Sequence, residues 1–108
     1  MTVKELLDIP GFRLCAGEPG LGNEIHGIYI GDLLSRVISR AKHRGIWITI
    51  MTNVNVAAVA QLADVSCVVL AEDVVPDPPL VERCNNEGIP LIRSEFDACS
   101  IARLIPEL

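Results

Sequence analysis

The sequence has 108 residues, half of them hydrophobic, and a mean hydropathy of +0.40. A chain of this size and composition can bury one substantial core, so we expect residues 1–108 to form a single domain. There are 14 acidic residues against 9 basic ones, and aromatic residues make up only 4% of the chain. This balance disfavours binding to nucleic acid or to anionic membranes, because both partners need a basic surface and single strands also need aromatic stacking.

The amino-terminal residues favour a soluble, cytoplasmic protein. Met1 to Pro10 has the pattern of a short amphipathic helix and not that of a signal peptide. No uncharged apolar run approaches the ~20 residues that span a bilayer. The four cysteines could form two disulfides, but nothing in the sequence indicates secretion, so we expect free thiols.

The first third of the chain predicts a helix and a hairpin. Thr2 and Glu5 have the spacing of a capping box, and the helix that follows should end at Pro10. Two short strands are expected next, from Phe12 to Cys15 and from Ile25 to Ile30, with a turn rich in Gly and Pro between them. Because these strands are close in sequence, they should pair as an early β-hairpin.

A second helix is expected after Asp32, whose side chain is well placed to cap it. The helix should end near Gly45, after a basic last turn that suits the negative pole of the helix. Its apolar positions fall on one face, which we expect to point inward: Leu33, Leu34, Val37, Ile38 and Ala41.

From residue 46 onward, strands and helices alternate. Apolar segments run from Ile46 to Ile50, from Cys67 to Ala71 and from Ile89 to Ile92, with helical patterns between them. Such alternation is typical of parallel strands covered on both faces. The predicted fold is an α/β three-layer sandwich with a mixed, mainly parallel sheet of about five strands and an early β-hairpin.

The signals at the helix ends agree with this division. Asp77 followed by Pro78 predicts the start of one helix, and Gly88 predicts its end. Ser94, with Asp97 three residues later, is expected to cap the last helix. That helix should carry four apolar side chains inward: Phe96, Ile101, Leu104 and Ile105.

Polar side chains follow the ends of several predicted strands. In a parallel sheet, the loops after the strands meet at one edge, where ligands bind. This edge is predicted to carry a ligand-binding cluster: Asp32, Thr52, Asn53, Asn55, Glu72, Asp73 and Ser94. The alternative is that these residues only cap helices, since Thr, Asn, Asp and Ser are the usual capping residues. A phosphate-binding loop would normally add a Gly-rich segment and a Lys after a strand, and neither is present.

The helix predicted from Val54 to Ala63 is apolar almost all round, so it must be buried on more than one side. One reading makes it the central helix of the domain. The other places part of it against a second copy of the chain, in a dimer interface formed by Val56, Ala57, Val59 and Ala60.

The remaining reactive residues do not form a recognisable catalytic or metal site. Cys67 and Cys99 have apolar neighbours and are expected in the core, and no C-x-x-C motif is present. His26 and His43 have no recognisable nucleophile or carboxylate partner in the sequence, and no G-x-S-x-G segment occurs. We therefore expect no enzymatic activity, no cofactor and no metal.

Four segments, in chain order, resemble the DRTGG domain family: Gly31-Asp32-Leu33-Leu34-Ser35, Ile46-Trp47-Ile48-Thr49-Ile50, Thr52-Asn53-Val54-Asn55-Val56 and Gly88-Ile89-Pro90-Leu91. Domains of this family are accessory modules of phosphotransacetylases and of CBS-domain pyrophosphatases, and they are similar to the amino-terminal domain of HPr kinase/phosphorylase. The resemblance implies a regulatory or assembly module that acts through a partner protein, as a homodimer.

Three functional hypotheses remain. The first is the non-catalytic regulatory or assembly module. The second is a small-ligand sensor that binds a nucleotide or phosphorylated metabolite at the strand ends. The third is a small enzyme that uses the same edge, for which the sequence offers no activated nucleophile and no evident pair of acid and base.

Overall fold

The alternating strands and helices form one five-stranded sheet with helices on both faces in the computed structural model, which describes residues 1–106. The strands are β1 (Arg13–Ala16), β2 (Ile28–Ile30), β3 (Ile46–Thr49), β4 (Cys67–Leu70) and β5 (Leu91–Arg93). The helices are α1 (Val3–Leu7), α2 (Leu34–Arg40), α3 (Asn55–Ala63), α4 (Pro78–Glu87) and α5 (Ala98–Leu104), and a short 3₁₀ turn covers Glu18–Gly20.

The strand order is β1-β5-β4-β3-β2. Strands β2 to β5 are parallel to their neighbours, and β1 is antiparallel to β5, with Arg13 opposite Arg93. The mixed, mainly parallel sheet is confirmed. The predicted hairpin is wrong, because β1 and β2 lie at opposite edges of the sheet.

Residues 17–27 cross the molecule between these two edge strands. The Gly17 amide donates to Asn85 Oδ1 at the end of α4 (2.9 Å), and Asn23 Nδ2 donates to the carbonyl of Ser66, just before β4 (3.2 Å). The His26 amide then donates to the carbonyl of Arg44, just before β3 (2.9 Å). The segment therefore follows the edge at which the parallel strands begin, and the Gly and Pro residues that suggested a tight turn belong to this crossing.

Side chains from the strands alternate between two cores. Trp47, Val68 and Leu91 pack with α2, α3 and α4 on one face of the sheet. Ile48, Val69 and other side chains pack with α1 and α5 on the opposite face. The three-layer α/β sandwich is thus confirmed, and β3 and β4 are buried at every position.

Several predicted helix ends are confirmed. Thr2 and Glu5 form the capping box of α1, and Gly88 ends α4 in the left-handed conformation. Asp77 occupies the residue before α4, although its side chain makes no capping hydrogen bond. The prediction that Ser94 caps the last helix is wrong: Asp97 is the cap of α5, and its side chain accepts a hydrogen bond from the Ser100 amide (2.7 Å).

Helix faces are predicted less well at the margins of the sheet. On α2, Val37 is fully buried, but Leu33 and Ile38, both expected to point inward, are 64% and 45% exposed. On α5, Ile101 is buried as expected and Leu104 is exposed. Short helices at the margins cover the sheet with a narrow stripe, so the outer part of each apolar face meets solvent.

Candidate functional site

The candidate site lies where the four parallel strands end, at what we call the carboxyl edge. Asp32 follows β2, Thr52 and Asn53 follow β3, Glu72 follows β4 and Ser94 follows β5. Because β2 to β5 run parallel, the predicted residues share this edge. That they bind a ligand stays a prediction, and their local contacts differ widely.

Asp32 ties the end of β2 to the end of β3. Its Oδ1 accepts hydrogen bonds from the Thr49 hydroxyl (2.6 Å) and from the Ile50 amide (3.1 Å). The prediction that Asp32 caps α2 is wrong: the capping position is Leu33, which has no side-chain hydrogen bond to offer. The Asp32 carboxylate thus serves the sheet edge, and Thr49, only 3% exposed, depends on it.

The residues after β3 mainly shape the start of α3. Asn53 Oδ1 accepts a hydrogen bond from the Asn55 amide (2.9 Å), which is a local turn. The Thr52 carbonyl accepts one from the Asp77 amide (3.0 Å), which links this loop to the start of α4. Asn55 is exposed in the first turn of α3. These contacts agree with the structural alternative for Asn53.

After β4, the backbone adopts an uncommon conformation. Glu72 and Asp73 have φ values of 60° and 57°, so two consecutive residues other than glycine are left-handed. Such residues cost of order 1 kcal/mol each, and they persist only where surrounding contacts fix them. Here the Glu72 amide donates to the Phe96 carbonyl (2.8 Å), and the Asp73 amide donates to the Ser94 carbonyl (2.9 Å).

Arg93, which ends β5, holds the same loop through its side chain. Its Nε donates to the carbonyl of Val74 (3.0 Å), and its Nη2 donates to the carbonyl of Asp73 (2.7 Å). Nη2 also lies 3.1 Å from Asp73 Oδ1. Arg93 is therefore a clasp on the left-handed loop.

Ser94 turns toward the protein. It is 2% exposed, and its Oγ accepts a hydrogen bond from the Phe96 amide (3.2 Å). The Ser94 amide donates to the carbonyl of Leu70, which keeps it in register with β4 (2.9 Å). A ligand at this edge could contact the Ser94 hydroxyl only if the loop after β5 moved.

A cavity of about 370 Å³ lies at the β1 side of the carboxyl edge. We call it the arginine cavity, and it is lined by Gly11, Phe12, Arg13, Asp73, Arg93 and Glu95. Gly11 is left-handed (φ 101°), and a Cβ atom there would collide with the Phe96 ring, so the cavity wall requires glycine at this position.

Sequence reasoning identified Asp73 among these six residues and missed the two arginines. Arg13 and Arg93 are direct partners in the antiparallel pairing of β1 with β5. Their juxtaposition depends on that pairing, which the predicted hairpin excluded. One signal was available, since Arg13 and Arg93 each stand beside apolar residues in a predicted strand or directly after it.

The predicted dimer-interface residues lie inside the domain. Val56 and Ala57 are 0% exposed, Val59 is 5% and Ala60 is 2%, and all four belong to the core between the sheet and its helices. The apolar character of α3 is therefore explained within one chain. A second copy that contacts α3 would meet its exposed side chains, such as Leu62, before any of these four.

In residues 1–106, the cysteines and histidines do not come together in one site. Cys67 is fully buried, as predicted, and burial raises the pKa of its thiol to about 12, so it stays protonated and unreactive. Cys99 is exposed, and its expected place in the core is wrong. His43 Nδ1 lies 2.9 Å from Asp64 Oδ2, a surface pair that the sequence did not indicate. Among residues 1–106, no group of three His, Cys, Asp or Glu side chains is arranged to hold a metal ion.

Two hydroxyls that donate to carboxylates serve structural roles. Thr49 donates to Asp32 from a buried position, and Thr2 donates to Glu5 within the capping box. Neither arrangement presents a nucleophile to a substrate. Within the described chain, no helix has the length and hydrophobicity needed to cross a membrane.

Comparison with known proteins identifies the family. The model of the DRTGG domain matches residues 13–108. Among solved structures, the chain is similar to the CBS and DRTGG domains of the regulatory region of a Clostridium perfringens pyrophosphatase, complexed with its activator diadenosine tetraphosphate, with a TM-score of 0.74. The identity is 14%, and the match covers 95% of this chain but 45% of that one, so this likeness shows the fold alone.

No protein of curated function matches the chain in sequence. The family assignment therefore depends on the domain model, which covers all but the first twelve residues and includes every strand of the sheet. With that match, the resemblance inferred from the sequence is confirmed, and the chain belongs to the DRTGG domain family.

Proposed function

We propose that this DRTGG domain is a regulatory module that performs no catalysis and acts by assembling with a protein partner, in the first place a second copy of itself. In the pyrophosphatase of similar structure, the DRTGG domain is part of a regulatory region. The observation that carries the proposal for this chain is an exposed apolar surface beside the free edge of β2.

This surface, which we call the apolar flank, consists of Ile30, Leu33, Ile38 and Ile50. Their exposed fractions are 49%, 64%, 45% and 45%. Ile30 ends β2, Leu33 precedes α2 as its capping residue, and Ile38 lies within α2. The Ile50 amide is bonded to the Asp32 carboxylate, next to Leu33. Strand alternation places Ile30, like Ile28, on the sheet face that packs against α1 and α5, whereas Ile38 belongs to α2 on the other face. The four side chains thus surround the β2 edge from both faces, and exposed large apolar side chains grouped at one edge favour an interaction surface.

The backbone of β2 supports the same proposal. In a parallel ladder, alternate residues bond to the neighbouring strand. The Gly27 carbonyl and the Gly31 amide both bond to β3, which assigns Tyr29 to the same side. Ile28 and Ile30 therefore direct their N–H and C=O groups away from β3, where a second β2 strand could pair with them.

Analytical ultracentrifugation over a hundredfold range of protein concentration tests this proposal with two flank variants. We expect the wild-type chain to dimerise and both Leu33→Asp and Ile38→Lys to shift it toward monomer, because each places a charge in the apolar flank. Leu33→Asp is the sharper of the two. It adds an N-cap side chain to α2, which lacks one, so the monomer should become about 0.5–2 kcal/mol more stable while the dimer weakens.

Leu104→Lys is the matched control. Leu104 is 43% exposed, close to the value for Ile38, but it lies on α5, which packs on the sheet face opposite to α2. The control should leave dimerisation unchanged. A wild-type chain that stays monomeric throughout the range, or a control that weakens dimerisation as much as Ile38→Lys does, would contradict the proposal.

The second candidate function is a small-ligand sensor, and the arginine cavity favours it. The cavity offers two guanidinium groups at the edge of the sheet where ligands of α/β folds bind. The pyrophosphatase of similar structure was obtained in complex with a nucleotide activator. A nucleotide or another phosphorylated metabolite is the ligand class we propose for this chain.

Thermal unfolding in the presence of nucleotides and sugar phosphates tests the sensor function. A ligand at ~100 times its dissociation constant would raise the free energy of unfolding by ~2.7 kcal/mol. Replacing Thr52, Asn53 and Asn55 by Ala asks whether the residues predicted from the sequence take part. An unchanged midpoint across the whole panel would argue against the sensor.

A further inference from the structure

Two arginines lie opposite each other at the edge of the sheet, and of the two carboxylates that line the cavity with them, only Asp73 forms an ion pair with either. Arg13 of β1 and Arg93 of β5 are direct cross-strand partners. Like charges in such positions destabilise a sheet unless another group separates them. Asp73 supplies the opposite charge, with Oδ1 lying 3.1 Å from Arg93 Nη2 and 3.9 Å from Arg13 Nη2.

The two guanidinium groups are not used equally. The Nε and Nη2 atoms of Arg93 donate hydrogen bonds to the left-handed loop, and the Arg93 side chain is 20% exposed. The Arg13 side chain is 67% exposed, and its distance to Asp73 is too long for a hydrogen bond. In residues 1–106, the Arg13 guanidinium group and Arg93 Nη1 have no acceptor.

We propose that Arg13 and Arg93 bind one phosphate group of a small phosphate monoester, whose remaining atoms occupy the arginine cavity. This proposal rests on the sensor function and assigns its site. The planar fork of a guanidinium group matches two phosphate oxygens at once, so one phosphate can bridge the donors of Arg13 and Arg93 that Asp73 leaves unused.

The other walls of the cavity define the rest of the ligand. Glu95 and Asp73 place carboxylates beside the arginines, and carboxylates accept hydrogen bonds from hydroxyl groups. A volume of about 370 Å³ lies within the range of small-molecule sites. A phosphate monoester that also carries hydroxyl groups, such as a nucleoside monophosphate, can bind the arginines through its phosphate and the carboxylates through its hydroxyls. An extended polyanion would be repelled by the two carboxylates and by the net charge of −5 on the chain.

An NMR titration with inorganic phosphate, AMP and adenosine tests the proposal on the full chain. The amides of Glu72 and Asp73 are good reporters, because both are bonded to the loop after β5. We expect phosphate and AMP to shift these amides and those of Arg13 and Arg93 in a saturable way, with AMP binding more tightly. Adenosine should leave them unchanged.

Arg13→Gln is the decisive variant, since the Arg13 side chain makes none of the hydrogen bonds that hold the fold. We expect it to weaken AMP binding by about tenfold or more, as the loss of a charge-assisted hydrogen bond should. Arg40→Gln is the matched control: Arg40 is also exposed, but it ends α2 at the opposite edge of the sheet. The control should change AMP affinity by less than about twofold, through net charge alone.

Absence of saturable shifts with both phosphate and AMP would overturn the site, and so would an equal weakening by Arg13→Gln and Arg40→Gln. Ultracentrifugation with and without AMP separates this failure from that of the sensor function. If AMP binds here without changing assembly, the site stands and the coupling of sensor to assembly fails. If AMP changes assembly equally in wild type and in Arg13→Gln, the sensor stands and this site fails.

Discussion

The two edge strands of the sheet differ in almost every respect that matters for binding. At the β1 edge, Arg13 and Arg93 share Asp73, and the neighbouring loop is held by hydrogen bonds. At the β2 edge, Ile30 and the side chains of the apolar flank meet solvent. One edge presents fixed charge around a cavity, and the other presents apolar surface beside an unpaired strand.

This difference shows how one small domain can hold two separate surfaces. Charged side chains blunt an edge strand against pairing with another chain, and β1 has this protection. Strand β2 lacks it at Ile30. A partner protein is therefore expected at β2, and a small anion at β1. Each edge can therefore be altered while the other serves as the reference.

The largest effect is expected at the β1 edge, from Arg93→Met. Methionine keeps the length of the apolar stem but removes the donors to the carbonyls of Asp73 and Val74. The left-handed loop should then lose its clasp, and the free energy of unfolding should fall by about 2–4 kcal/mol. Denaturant unfolding, monitored by the fluorescence of the buried Trp47, measures it.

Arg13→Met is the matched control for that measurement, because it removes the same charge from the opposite register position. We expect a change within about 0.5 kcal/mol, as is usual for exposed residues. Equal losses for Arg13→Met and Arg93→Met would mean that the pair acts as a charge cluster and that Arg93 is no clasp.

The second largest effect is expected at the β2 edge, from Asp32→Ala. This change leaves the buried Thr49 hydroxyl and the Ile50 amide without their acceptor. The free energy of unfolding should fall by about 1–3 kcal/mol. A double-mutant cycle with Thr49→Val isolates the pair, and it should show that Thr49→Val costs less once Asp32 is absent. Strict additivity would refute this link between β2 and β3.

Glu72→Gly should have the opposite sign. Glycine adopts a φ of 60° without strain, so the variant should gain up to about 1 kcal/mol of stability. Glu82→Gly provides the contrast, because Glu82 is exposed within helix α4, where glycine costs about 1 kcal/mol relative to good helix formers. Thermal unfolding of both variants measures the difference, and a loss of stability in Glu72→Gly would show that the Glu72 side chain stabilises the loop.

The smallest expected effect is the dependence of stability on pH that comes from Asp97. The Ser100 amide donates to the Asp97 carboxylate and holds the pKa of that carboxyl below its ordinary value. The carboxylate therefore stabilises the fold above the pKa of Asp in the unfolded chain, and this contribution is lost as pH falls through the lower pKa of the folded state. The advantage of wild type over Asp97→Asn should shrink with falling pH in unfolding measured across an acid series.

Helix α2 is the reference for the acid experiment, because its capping residue is Leu33 and has no carboxylate. The variant Leu33→Asp should gain acid sensitivity of the same sign as the cap at Asp97. A difference between wild type and Asp97→Asn that does not depend on pH would contradict the assigned role of the carboxylate.

The parts of the fold that were predictable depend on local signals. The apolar runs of β3 and β4 are buried at every position, and Gly88 ends α4 as its conformational freedom suggests. The prediction of a hairpin was wrong because nearness in sequence does not decide strand pairing when a long irregular segment lies between the two strands. The prediction for the buried face of α2 was wrong for another reason. Periodicity shows which side of a helix is apolar, but not whether a neighbouring element covers that side.

The candidate site shows the same limit. Parallel strands bring Asp32 and Glu72 to one edge, and that much follows from the sequence. The arginine cavity forms where β1 meets β5, a contact between the two ends of the chain that no local pattern encodes. Arg13 and Arg93 were invisible as a pair for that reason.

The crossing of residues 17–27 also bears on synthesis. Strand β1 leaves the ribosome before the other four strands, but in the sheet of residues 1–106 it pairs with β5, the last of the five to be made. During translation, strands β2 to β4 can therefore associate before β5 has been made, while β1 is still without its pairing strand. A ribosome stalled before residue 91 would hold a nascent chain whose two arginines cannot yet meet.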